Sequence, residues 1–191
     1  MHLIHHRTFF ALLFLSHFGL SQQVFNAQYN SVDSVETAYA GHGQGTNLVA
    51  CGRTLAGSKD AVVIKLDSAG SVIWSKSFGG TGYDELQVIK PTHDKGYIAT
   101  GYTNSFGVGG RDAMLIKFDS SGGVEWCKTF GSVSDDWGRD VIETSTGDFV
   151  MVGGAKYNGT ANSGSILIVK TDSSGVLIWS RMLGAYYGYE G

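Results

Sequence analysis

The chain has 191 residues and a formal net charge of −3, and 28 of its residues are glycine while one is proline. A hydrophobic fraction of 42% with 16% charged residues argues against a disordered polar chain, and the absence of a Gly-X-Y period excludes collagen. The charges are mildly acidic and unclustered, so we expect neither nucleic acid nor an anionic membrane as a partner.

Residues 1–21 have the three-part pattern of a secretory signal peptide. A basic start ends at Arg7, an apolar run covers residues 9–15, and Gly19 and Ser21 suit a cleavage site. The apolar run is much shorter than the ~20 residues that span a bilayer. We therefore expect a secreted or cell-surface protein without a membrane span, with a buried N-terminal strand or helix as the alternative interpretation.

An internal repeat organises residues 22–191. The segment 60–80 recurs at 112–132 and at 165–185, and a second block at 47–54 recurs at 96–103 and 148–155. The period is about 52 residues. It divides the chain into repeats at approximately 31–78, 79–130 and 131–183, and residues 184–191 begin a further repeat.

Each repeat is expected to form four short strands joined as an up-and-down meander. In the middle repeat these segments are 85–92, 97–103, 112–119 and 124–130. The third and fourth segments are joined by Asp-Ser-Ser-Gly or Asp-Ser-Ala-Gly, which favours a tight turn with a left-handed glycine.

The third segment of each repeat is apolar on both faces, which is typical of a strand between two layers. Four-stranded sheets stacked at a fixed repeat predict an all-β fold, a β-propeller of about three antiparallel blades. A β-solenoid and a β-sandwich are the alternatives. Because propellers usually close with 4–8 blades, we expect an incomplete propeller that needs further blades or self-association.

The stretch 96–132, GYIATGYTNSFGVGGRDAMLIKFDSSGGVEWCKTFGS, resembles a β-propeller repeat of large secreted bacterial proteins. Many proteins of that group carry a sorting domain for type IX secretion. The element D-x-x-G-x-x-x-W is also similar to the tryptophan-docking turn of quinoprotein dehydrogenase propellers and, more distantly, to the Asp-box hairpin of sialidases. The resemblance implies that this element locks blades together and takes no part in chemistry.

Two sets of repeated residues are accordingly expected to be structural. The tryptophans would fill the gaps between blades, and the aspartates would bind the turn backbone. Carbohydrate stacking by the tryptophans and calcium binding by the aspartates are the alternatives. These residues are Trp74, Trp126 and Trp179, with Asp67, Asp119 and Asp172.

Asp84 and Asp136 share one repeat position, at the start of the first strand of a repeat. We expect each carboxylate to hold the backbone N–H groups of the preceding connector. Ligation of calcium, binding of sugar hydroxyls, or a glycosidase pair about 5–9.5 Å apart are the alternatives.

Connectors of variable length are expected at one end of the blades, where a rigid scaffold usually carries its binding residues. Aromatic and basic side chains gather there, and these types are enriched in binding sites. The candidate ligand-binding residues, besides the two acids above, are Arg53, Tyr83, Phe106, Arg111, Trp137, Lys156 and Tyr157.

The sequence favours a non-catalytic binding or adhesion scaffold for an extracellular glycan or protein. It contains no nucleophile motif, P-loop or nucleotide fingerprint, and we expect no cofactor, with calcium as the open alternative. A fragment of a lectin-like or carbohydrate-active protein and a structural spacer are the other candidate functions. Cys51 and Cys127 are expected to be unpaired thiols, and a disulfide between them is the alternative.

Overall fold

The computed structural model describes residues 35–54, 59–156 and 164–184, and this part of the chain contains twelve strands and no helix. The first sheet contains β1 (Val35–Gln44), β2 (Asn47–Thr54), β3 (Ala61–Leu66) and β4 (Val72–Phe78). The second contains β5 (Asp84–Pro91), β6 (Tyr97–Thr103), β7 (Asp112–Phe118) and β8 (Val124–Phe130). The third contains β9 (Asp136–Glu143), β10 (Phe149–Lys156), β11 (Gly164–Thr171) and β12 (Leu177–Leu183).

Within every sheet the spatial order of the strands follows the chain, and all neighbours are antiparallel. The same order and pairing hold in the third sheet. The prediction of all-β structure built from four-stranded antiparallel sheets is confirmed. The bounds of the four strands in the middle repeat differ from the predicted segments by no more than their end residues.

The three sheets are layered through two hydrophobic clusters. The first cluster joins the first and second sheets and includes Val63, Leu86 and Met114. The second cluster joins the opposite face of the second sheet to the third and includes Leu115 and Met151. Burial of this apolar surface is the main stabilising contribution that the fold offers.

The middle sheet is covered on both faces, as its sequence pattern predicts. Every residue of β7 is buried, whereas β3 and β11 of the outer sheets are only partly buried. In β7, Met114 belongs to the first cluster and Leu115 to the second. Alternating side chains of one strand therefore contribute to two different cores.

A buried lysine closes the end of the middle sheet where β5 turns into β6. The Nζ of Lys117 donates to Asp94 at 2.7 Å, to Glu125 at 2.9 Å and to the carbonyl of Phe118 at 3.2 Å. These three acceptors satisfy an ammonium group that is almost fully removed from water. The equivalent Lys170 of the third sheet pairs with Asp148 at 2.9 Å.

Candidate functional site

The first-to-second-sheet connector, residues 79–83, interlocks with the β6–β7 connector, residues 104–111. The hydroxyl of Ser105 accepts hydrogen bonds from the backbone N–H groups of Gly80 at 3.1 Å and Gly82 at 2.9 Å. The N–H of Asn104 donates to the carbonyl of Tyr83 at 2.8 Å. We call this end of the three sheets the loop end.

At the next junction, Asp135 performs the corresponding task with its carboxylate. It accepts from the N–H of Arg111 at 3.1 Å and from the Nζ of Lys156 at 2.8 Å. The hydrogen bond from Lys156, together with that from the Arg111 backbone, holds the pKa of Asp135 below its usual value. The connector after β8 is thereby tied to the β6–β7 connector and to β10 at the same time.

A mostly buried polar network lies beneath these connectors. Glu85 pairs with Arg53 at 3.4 Å and accepts a hydrogen bond from the Tyr102 hydroxyl at 3.1 Å. The guanidinium of Arg111 lies 4.6 Å from the centre of the Tyr102 ring. Burial, with the Glu85 charge, raises the pKa of the Tyr102 phenol, so the hydroxyl stays protonated and can donate.

Two aromatic side chains at the loop end reach into solvent. Tyr83 is 51% exposed and Phe106 is 53% exposed. The Nζ of Lys59 lies 4.6 Å from the centre of the Tyr83 ring, an arrangement that favours a cation over the ring face. Exposed aromatic rings on connectors held by hydrogen bonds form a surface suited to stacking against a ligand.

Asp84 holds its connector by several hydrogen bonds. It accepts from the hydroxyls of Thr103 and Ser105, the second at 2.6 Å, and from the N–H of Gly80 at 3.0 Å. Asp136 likewise accepts from the N–H of Ser132 at 2.6 Å. Both acids therefore make the backbone contacts that the sequence suggested for them.

The structure places a second acid beside each of these carboxylates. Oxygens of Asp60 and Asp84 are 2.5 Å and 2.6 Å from the point where a Cβ on Gly79 would lie. Asp112 and Asp136 flank Gly131 in the same way, at 2.5 Å and 2.8 Å. Asp84 and Asp136 thus belong to two different acid pairs.

Trp137 and Lys156 both lie near the third sheet's loop end. The Trp137 indole covers Gly154, where a Cβ would be 2.5 Å from the ring, and Arg139 lies 5.9 Å from the ring centre. Tyr157, the remaining candidate, lies outside the described residues.

Sequence reasoning missed Glu85, Tyr102 and Lys59 at this end. Tyr102 occupies the repeat position of Arg53, and Lys59 occupies that of Arg111. Comparing the repeats position by position could therefore have added both, because each has a partner already among the candidates. Glu85 occupies the repeat position of Trp137. Because a carboxylate and an indole bind by different chemistry, this alignment does not mark Glu85 as a candidate binding residue.

The repeated tryptophans lie against turns of the following sheet. A Cβ on Gly122 would be 2.9 Å from the Trp74 ring, and one on Gly175 would be 2.8 Å from the Trp126 ring. The Trp126 indole also donates from Nε1 to the carbonyl of Ser173 at 3.0 Å. Trp179 has the same repeat position but is 37% exposed, and no fourth sheet covers it within the described ranges.

The turn aspartates bind their own turns. Asp119 accepts from the N–H groups of Ser121 at 2.7 Å and Gly123 at 2.8 Å. Asp67 and Asp172 make the same pair of bonds in the other two sheets. Hydrogen bonds from the Ser121 side chain and the Gly123 backbone lower the pKa of Asp119.

Neither cysteine forms a disulfide: Cys51 is buried, with its Sγ 3.7 Å from the carbonyl oxygen of Leu86, and Cys127 is exposed. Cys51 belongs to the first hydrophobic cluster, and Cys127 lines an apolar cavity with Phe78, Phe106 and Met114. Both therefore lie at the junction of the first and second sheets, although their repeat positions offer no reason to expect a shared interface.

Among the described residues, no group of three or more His, Cys, Asp and Glu side chains is arranged to hold a metal ion. Within the same residues, no helix is long and apolar enough to cross a membrane. No protein-family model matches the chain, and no curated protein is significantly similar to it.

Proposed function

We propose that the three sheets are blades of a β-propeller. The support is the face-to-face layering of four-stranded meanders, each with the same strand order, and the docking of a tryptophan on the next sheet's turn at both junctions. Repetition of one docking contact is what radial blade assembly requires.

We further propose that the chain is a secreted or cell-surface binding module that holds an extracellular glycan or protein at its loop end. The observation that carries this proposal is the set of exposed side chains, Tyr83, Phe106 and Arg111, on connectors fixed by hydrogen bonds. A fixed surface of this kind loses little conformational entropy when a ligand binds.

The experiment is a glycan and protein array probed with the purified secreted chain, followed by titration of each hit. Tyr83→Ala and Arg111→Ala are expected to weaken binding about tenfold or more, because aromatic and arginine side chains dominate binding energy. Ser145→Ala is the matched control, since Ser145 is exposed at the opposite end of the sheets.

Three outcomes separate the candidate functions. Binding that all three variants retain would place the ligand away from the loop end. Silence of a folded protein on every array would favour a structural spacer. Turnover of a bound glycan that Asp84→Asn and Asp136→Asn abolish without loss of folding would favour a carbohydrate-active protein.

A further inference from the structure

Two buried carboxylates meet where the second sheet joins the third. Asp112 is 2% exposed and Asp136 is 0% exposed. An oxygen of each lies within 3 Å of the point where a Cβ on Gly131 would be, Asp112 at 2.5 Å and Asp136 at 2.8 Å. Two carboxylates this close in a site removed from water cannot both be charged without a large electrostatic cost.

One oxygen of this pair has no hydrogen-bond partner. Asp136 Oδ1 is fully buried and accepts no hydrogen bond, whereas Asp84 Oδ1, at the same repeat position, accepts from the Thr103 hydroxyl. The residue opposite Asp136 in the sheet register is Ala155, where Thr103 stands opposite Asp84. The loss of one hydroxyl therefore explains the unpartnered oxygen.

The neighbouring charges do not neutralise the pair. Lys156 is bonded to Asp135, and the Arg111 guanidinium lies over Tyr102. At the loop end of the elements around the pair, the charged or titratable groups are Asp84 and Glu85 on β5, Tyr102 on β6, Arg111 before β7, Cys127 and Lys128 on β8, Asp135 before β9, and Lys156 on β10. None of these groups makes a salt bridge to Asp112 or Asp136.

We propose that Asp112 and Asp136 together bind one proton, so that this junction carries a single negative charge and responds to pH. Burial, opposed by the hydrogen bond from Val108 and reinforced by the Asp136 charge, raises the pKa of Asp112 above 3.8, which favours the protonated form of this carboxyl.

The consequence concerns both the junction and the loop end. An acid whose pKa is raised in the folded state stabilises that state fully at a pH below 3.8. This contribution is lost as the pH rises through the raised pKa. Asp112 also holds the N–H of Val108 at 3.0 Å, and Asp136 holds that of Ser132. Full ionisation of the pair would place two mutually repelling charges on the side chains that hold these two connectors.

The test follows thermal unfolding of the full chain from about pH 4 to about pH 8. Asp112→Asn mimics the protonated form at every pH, so its stability relative to the wild type is expected to increase as the pH rises. Ala155→Ser, which returns a hydroxyl to Asp136 Oδ1, is expected to stabilise the protein most at the alkaline end. Above the pH at which exposed carboxyls ionise, the wild type should also show an infrared carbonyl band of a protonated carboxyl that Asp112→Asn lacks.

Asp60→Asn is the matched control, because Asp60 stands at the repeat position of Asp112 and its neighbour Asp84 already has hydroxyl donors. Its stability relative to the wild type should not show the same increase with pH. A constant difference between Asp112→Asn and the wild type, or absence of the infrared band, would overturn the proposal. Calcium added near neutral pH is a further check. If calcium stabilised the wild type but not Asp112→Asn, the pair would bind a divalent cation instead of a proton, and the proposal would be wrong.

Discussion

Glycines with positive φ close the turns between the third and fourth strands, and two of them also receive an indole ring. Gly122 has a φ of 81° and lies under Trp74, and Gly175 has a φ of 79° and lies under Trp126. Glycine is thus required there twice over, by the backbone conformation and by the space that the ring occupies. The Asp-x-x-Gly turn is at once a hairpin and a docking surface.

Gly122→Ala is expected to lower the free energy of unfolding by about 2–4 kcal/mol, from left-handed strain plus overlap with Trp74. Gly147→Ala is the control, because Gly147 has a φ of 83° but no atom within 4 Å of an added Cβ. The control should cost only about 1–2 kcal/mol. Chemical denaturation measures both, and equal losses would contradict docking of Trp74 at this turn.

Asp94 contributes to the free energy of unfolding, and this contribution is lost in acid. Burial opposes the shift, but hydrogen bonds from Lys117 and Thr92 lower the pKa of Asp94 from 3.8 to about 2. An acid whose pKa is lowered in the folded state stabilises that state at a pH above 3.8. This contribution disappears as the pH falls towards 2.

Asp94→Asn should therefore destabilise the protein near neutral pH and match the wild type in strong acid. Thermal melts across the acid range measure the convergence. A difference that did not shrink on acidification would show that the Lys117 pair contributes nothing to the pH dependence. Asp140→Asn, which alters an exposed partner of Lys90, is a suitable surface control.

At the scale of the strand, a tryptophan in the fourth strand joins one sheet to the next. Trp126 packs against Phe149 with ring centres 5.8 Å apart and donates to the Ser173 carbonyl. Trp74 meets Tyr97 of the second sheet at 6.1 Å. The fourth strand is mostly exposed, so Trp126 and Phe130 are the side chains of β8 that pack against the second cluster.

Trp126→Ala is expected to lower the free energy of unfolding by about 2–4 kcal/mol, because it leaves a gap and an unpaired carbonyl. Trp179→Ala removes the same residue type from the same repeat position and should cost less than about 1 kcal/mol, since none of the three described sheets covers it. Denaturant titration of both variants makes the comparison. Equal costs would mean that Trp126 does not act through docking.

Much of this element-scale structure could be predicted from the sequence. Tight turns and alternation set the strands, so the bounds of β6 and β8 agree with the predicted segments. The site was predicted less completely. Glu85, Tyr102 and Lys59 lie apart from their partners in sequence and meet them only through sheet packing, which no local pattern records.

At the scale of the molecule, the third sheet has an apolar face that no other sheet of the described residues covers. The register aligns Ile142 with Trp179, and Ile166 with Leu183, on the face away from the second cluster. Ile166 is 55% exposed and Leu183 is 53% exposed. A contiguous apolar surface of this kind marks an interface, and we expect another sheet to cover it, from a second copy or from further blades.

The chain alone should consequently self-associate with rising concentration, and Ile166→Lys should shift it towards the monomer. Val133→Lys, which adds the same charge at an exposed loop residue, should leave association unchanged. Sedimentation velocity measures both. A wild type that stays monomeric and stable at all concentrations would contradict an apolar interface on this face.

The sequence by itself determined the repeat, the four strands of each repeat and the Asp-x-x-Gly turns, because these depend on spacing within about 52 residues and on local backbone preferences. Only the tertiary structure decided which side chains meet across the sheets. It paired Asp112 with Asp136 and left one oxygen of Asp136 unsatisfied. The reason is physical: burial and proximity fix the charge of a carboxylate, and both arise from packing between repeats.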